Sequence, residues 1–140
     1  MPTTPGQTDL PGVVEEVSRI TGLIKKDSVV QSSPGPTTEE VLGQLEHHDI
    51  VHFACHGLSN LFDPSESCLL LQRRQPSDAE PISDPLTVGQ VAHLRLMMAR
   101  IAFLSACSTA ESKVEQLTDE VIHLASGFQV AGFAHLISWL

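Results

Sequence analysis

Tyrosine is absent from the chain, tryptophan occurs once and phenylalanine five times. A core must therefore be aliphatic, as in α/β sheet proteins, and the 41% apolar content excludes a disordered chain. Basic residues are scarce: 8 Lys and Arg stand against 17 Asp and Glu, for a net charge of −9. Such a surface repels phosphate, which argues against nucleic-acid binding through a basic face and against docking on an anionic membrane. No apolar run approaches the roughly 20 residues of a spanning helix, and MPTTPGQTDLPG at the start has neither the basic nor the apolar region of a signal peptide. Three cysteines, an odd number without secretory features, read as free thiols in a reducing, cytoplasmic compartment. Neither GxxxxGK[ST] nor GxGxxG occurs, so a nucleotide-binding reading has no phosphate cradle. GxSxG is also missing, which leaves Ser105 and Ser108 without a nucleophile elbow. What is left is a chain of 140 residues, enough for one domain with its own core.

Positive signals run along that chain in alternation. Residues 1–9, rich in Pro, Thr and Gly, are expected to be flexible. From Pro11, Val13, Val14, Val17, Ile20, Leu23 and Ile24 recur at helical spacing, with Asp9 as candidate N-cap. Ser28–Ser32 reads as a short strand, and Thr37 or Thr38 caps a helix from Glu39 to His47. Asp49–Cys55 is almost continuously apolar, as parallel strands covered on both faces are, and ends at His56-Gly57. A polar loop, 58–67, leads to a strand at Cys68–Gln72. Arg73–Pro85, with three prolines, reads as an exposed loop. Thr87 caps a helical segment through His93, and Arg100–Ala106 is a second buried-type strand ending at Cys107-Ser108-Thr109. Thr118 caps a helix from Asp119 to Val130, closed by Gly132, and Phe133–Leu140 opens a last apolar run. This βαβ order predicts an α/β fold with a mostly parallel sheet.

Open α/β sheets place their chemistry beyond the carboxyl ends of the strands. Two such ends carry reactive groups, His56-Gly57 and Cys107. If the two strands are neighbours, an imidazole and a thiol emerge on one rim, as nucleophilic cysteine catalysis requires. Gly57, lacking a Cβ, lets its N–H approach a substrate carbonyl, and the Cys107 N–H is a second candidate oxyanion donor. Taken singly, a strand-end cysteine is more often a small buried hydrophobe and His-Gly a turn. Only the pair is specific.

The pair of motifs HFACHG (52–57) and LSACST (104–109) resembles the CHAT domain, a caspase-like relative of separases found fused to repeat-containing proteins. LPGVVEEV, TTEEVLGQL, LTVGQVAHLRL and EVIHLASGFQVAGFAHLI extend the resemblance from about Leu10 to Leu140. It implies a caspase-like three-layer α/β/α sandwich over 10–140 and a protease dyad of His56 and Cys107. The substrate would then be a protein or peptide, and flanking repeat domains would be partners in a longer protein. Such domains begin with a strand before the LPG helix and continue past the final strand, so the resemblance also implies an incomplete domain with edge elements missing at both ends. The alternative from another class is a catalytically inactive interaction module of a larger scaffold or signalling protein.

Other groups carry weaker readings. His52, Cys55 and His56 invite a metal, but strand alternation turns Cys55 away from the histidines and no second ligand cluster exists, so no metal site is expected. The proposed thiol chemistry also needs no cofactor. Cys55 and Cys68 read as packed thiols, and His52 as a satisfied core histidine. No Lys or Arg occurs between Lys26 and Arg73, a stretch holding seven acidic residues. A solvated face explains this; the functional reading is a negative potential in which Asp63 and Glu66 attract cationic substrate side chains.

Overall fold

A computed structural model describes residues 3–24, 28–33, 35–76, 79–105 and 114–138, with the side chains of 114–121 left aside. The fold is mixed α/β, with four α-helices, a small parallel sheet and an antiparallel sheet among the described residues. The parallel sheet holds β1 (Ile50–Phe53), β5 (Ile101–Leu104) and β6 (His135–Ser138), with β5 in the middle. Register is set by the pairs Ile50↔Ile101 through Phe53↔Leu104 and Ile101↔His135 through Leu104↔Ser138. The antiparallel sheet holds β2 (His56–Leu58), β3 (Cys68–Arg73) and β4 (Ile82–Thr87), with β3 in the middle.

The helices are α1 (Gly12–Leu23), α2 (Thr38–Leu45), α3 (Val88–Ala92) and α4 (Val114–Ala131). Thr37 and Thr87 each close a reciprocal capping box, with Glu40 and Gln90, which satisfies otherwise orphaned N–H groups and fixes where each helix starts. Asp9 does not cap α1; Pro11 takes the N-cap position and offers no side-chain acceptor. A 3-10 turn, Pro64–Glu66, precedes β3.

One face of the parallel sheet carries the core. Period-two alternation turns Ala102 and Leu104 of β5 toward it, where they join Leu124, Phe128 and Ala131 of α4 and the leucines of β3. Phe128 is the hub, with ring centroids 5.3 Å from Phe53 and 5.7 Å from Phe133. Gly132 lets the chain leave α4 for β6. Its φ of 125° and the 2.5 Å separation between a Cβ there and the Leu96 carbonyl oxygen leave no room for another residue. The opposite face, with His52, Phe103 and the half-exposed Ile50 and Ile137, is met by α1, which buries only Val13.

The structure departs from the sequence pattern in several stretches, including α4, which begins at Val114 and so contains Thr118 instead of being capped by it. The Asp49–Cys55 run is not one strand reaching His56-Gly57: β1 stops at Phe53, Ala54 and Cys55 carry the chain into the second sheet, and His56 pairs with Leu70 of β3. Arg73–Pro85 is not all loop, because Ile82–Pro85 belong to β4. Its polar ISDPLT escapes hydrophobic patterning since an edge strand keeps one side in water, and its outward N–H row tolerates Pro85. Ser28–Ser32 forms no strand, and Val29 is 90% exposed.

Candidate active site

Backbone register decides what can meet at the rim of the parallel sheet. Phe53 and Leu104 are partners at the carboxyl ends of β1 and β5, and Ser105 N–H donates to the Phe53 carbonyl at 2.8 Å, which extends the contact one residue past β5. His56 and Cys107 each lie three positions beyond that last pair. Adjacent strands are roughly 5 Å apart and three residues reach about 10 Å. Cys107 itself lies outside the described residues, as do Ser108 and Thr109.

His56 has 0% of its surface exposed. Its Nε2 lies 2.8 Å from the carbonyl oxygen of Thr8; a carbonyl only accepts, so Nε2 carries the proton. Gly57 is buried beside it, opposite Leu69 in the β2–β3 ladder. Asp63 and Glu66 belong to the exposed loop that follows. Asp63 caps the 3-10 turn, its Oδ1 accepting from the Ser65 N–H at 3.1 Å and the Ser65 hydroxyl at 2.6 Å, while Glu66 is exposed.

The other cysteines contrast with a nucleophile. Cys55 and Cys68 are free and buried. Burial pushes the Cys55 thiol up to about 12, and burial, then the charge of Glu66, raises Cys68. Both stay protonated at neutral pH and are poor nucleophiles. Among the described residues, no three His, Cys, Asp or Glu side chains are placed to hold a metal ion.

A second polar cluster lies at the same rim. Ser105 Oγ–H donates to Glu16 Oε1 at 2.6 Å, and His52 Nε2–H is shared between that oxygen at 3.2 Å and the Ser105 oxygen at 3.1 Å. Carboxylate and hydroxyl sit on the same ring nitrogen. An imidazole oriented this way already holds a proton where it would need to accept one from serine, so Ser105 is a clamp rather than a nucleophile. The cluster borders a cleft of about 480 Å³ between α1 and the sheet, with Gly12, Ile20 and Phe103 among its walls. Sequence reading took His52 as a satisfied histidine but missed its partners. Ser105 stands inside the LSACST motif and Glu16 inside LPGVVEEV, yet nothing in either motif signals that they meet.

These features define a mixed α/β domain in which a buried imidazole, that of His56, lies just beyond a parallel strand. The CHAT domain family model matches residues 1–140, and the chain belongs to that family, a caspase-like peptidase family. Comparison with curated proteins and with solved structures gives no match. Among the described residues, no helix is long and apolar enough to cross a membrane.

Proposed function

We propose that this domain is a cysteine endopeptidase on a caspase-like three-layer sandwich, acting on protein or peptide substrates in the cytoplasm. What supports the reading is that this CHAT member's motifs HFACHG and LSACST share one strand pair, Phe53↔Leu104, with His56 and Cys107 each three positions further along the sequence. Cys107 attacks the scissile carbonyl as a thiolate, and the Gly57 and Cys107 N–H groups stabilise the oxyanion. As the C–N bond breaks, His56 gives a proton to the leaving amine and a thioester remains. His56 then takes a proton from water, whose oxygen attacks the thioester, releasing the acid and restoring the Cys107 thiolate beside a protonated His56. No cofactor enters these steps. Glu66, with the uncapped oxygen of Asp63, supplies a preference for cationic side chains, and flanking repeat domains deliver the substrate. Faster cleavage after Asp than after Arg or Lys would sink that preference.

Iodoacetamide tests the nucleophile because it is too small to need a formed groove. Site-resolved mass spectrometry of the folded chain should find Cys107 alkylated at least about tenfold faster than Cys55 and Cys68, and slower in His56→Ala. Equal, slow alkylation of all three would remove the endopeptidase reading. It would favour the inactive interaction module, to which the complete burial of His56 is the one pointer.

A further inference from the structure

The segment ahead of α1 is folded over the residue that would do the acid–base chemistry. Thr4-Pro5-Gly6-Gln7 closes a turn through Gln7 N–H to the Thr4 carbonyl at 3.0 Å, with Gly6 at φ 76°. Proline followed by a left-handed glycine is the sequence of a type II turn. The turn aims the next residue so that the Thr8 carbonyl accepts the His56 Nε2 proton at 2.8 Å. A second contact ties the same N-terminal unit to the other strand end, since Glu16 of α1 holds Ser105, two positions before Cys107.

We propose that residues 4–8 are an autoinhibitory strap, a stretch of the chain's own peptide lying on His56 where a substrate peptide would lie. The inference rests on the endopeptidase reading for its consequence, but the cover over His56 stands on geometry alone. While Thr8 holds the Nε2 proton, that proton is not available to a leaving amine. The strap is also built to lift. Thr4 is 4% exposed and its Oγ1 has no hydrogen-bond partner among the described residues, a standing cost of the closed form that disappears on opening. Behind it, α1 buries a single hydrophobic side chain, so the unit is held by a few polar contacts instead of a packed interface.

Two substitutions in the strap should have opposite effects. Gly6→Val places a β-branched residue at a left-handed φ and should open the strap. Thr4→Val keeps the shape, removes the unpartnered hydroxyl and should close it further. The full chain and both variants are treated with diethylpyrocarbonate and the modified histidines resolved by mass spectrometry, with exposed His47 as internal standard. In parallel, a peptidyl acyloxymethyl ketone reports on Cys107.

His56 should react far more slowly than His47 in the unaltered chain, about tenfold faster in Gly6→Val, and slower still in Thr4→Val. Ketone labelling of Cys107 should follow the same order. His56 reacting as fast as His47 in the unaltered chain, or unmoved by Gly6→Val, overturns the strap. Ketone labelling at one rate in all three chains also overturns it while leaving the endopeptidase reading intact. His56 opening on cue with Cys107 inert to the ketone in every chain keeps the cover and removes the peptidase.

Discussion

At the scale of single residues, Cys55 shows how burial dominates the chemistry of a thiol. It is enclosed between β1 and β2, and desolvation raises its thiol from 9.0 to about 12. This has a thermodynamic consequence of fixed sign. Above pH 9.0 the thiol ionises in the unfolded chain but keeps its proton in the native one, so unfolding releases a proton. The stabilisation is complete below pH 9.0 and is lost as pH rises toward about 12, at a rate of about 1 kcal/mol per pH unit. Cys68, raised in the same direction, adds to the trend. Urea midpoints measured across that range should fall steadily in the unaltered chain and less steeply in Cys55→Ala. Identical slopes in both would show that Cys55 is not the source.

At the scale of elements, Asp84 decides how α2 attaches to the antiparallel sheet. Its Oδ2 accepts from the Thr38 N–H at 2.7 Å, its Oδ1 pairs with Arg73 at 2.7 Å, and its carbonyl takes the Thr38 hydroxyl at 3.0 Å. One buried carboxylate thus joins the first turn of α2 to β4 and β3. Asp84→Ala would leave a buried N–H of Thr38 without its acceptor, at a cost of about 2 kcal/mol; Asp84→Asn, which keeps an acceptor oxygen, should cost less. Urea unfolding measures both, and equal losses would mean that charge rather than the hydrogen bond matters. None of this was legible from sequence, where Asp84 falls in a stretch that reads as loop. Elements with strong local signals were legible: the capping residues Thr37 and Thr87, the apolar β5, and α4 ended by Gly132. Hidden were those whose signal is tertiary, such as polar β4 on a sheet edge and the break at Ala54-Cys55, which an unbroken apolar run conceals. The site divides the same way. HFACHG and LSACST stand out because each is contiguous, while Thr8 on His56 and Glu16 on Ser105 join residues 48 and 89 positions apart that no local pattern connects.

At the scale of the whole molecule, the two faces of the parallel sheet are unequally held. One is sealed by α4 and the Phe53, Phe128 and Phe133 rings. The other meets an α1 whose Val14 and Leu23 remain exposed, and leaves Ile50 49% and Ile137 41% open. Free energy of opening should divide along the same line, because local unfolding begins where little apolar surface is buried. Native-state hydrogen exchange should therefore find the amides of α1 opening independently of β5, at rates at least about a hundredfold higher. Glu16→Gln weakens the charged acceptor that α1 offers to Ser105 and His52. It should speed α1 exchange further, by about fivefold for a loss near 1 kcal/mol, and leave β5 untouched. If α1 and β5 instead exchange together, through one global event, the N-terminal unit is an integral layer of the domain. If they separate, the unit can detach from both strand ends while the sheet that carries them stays folded.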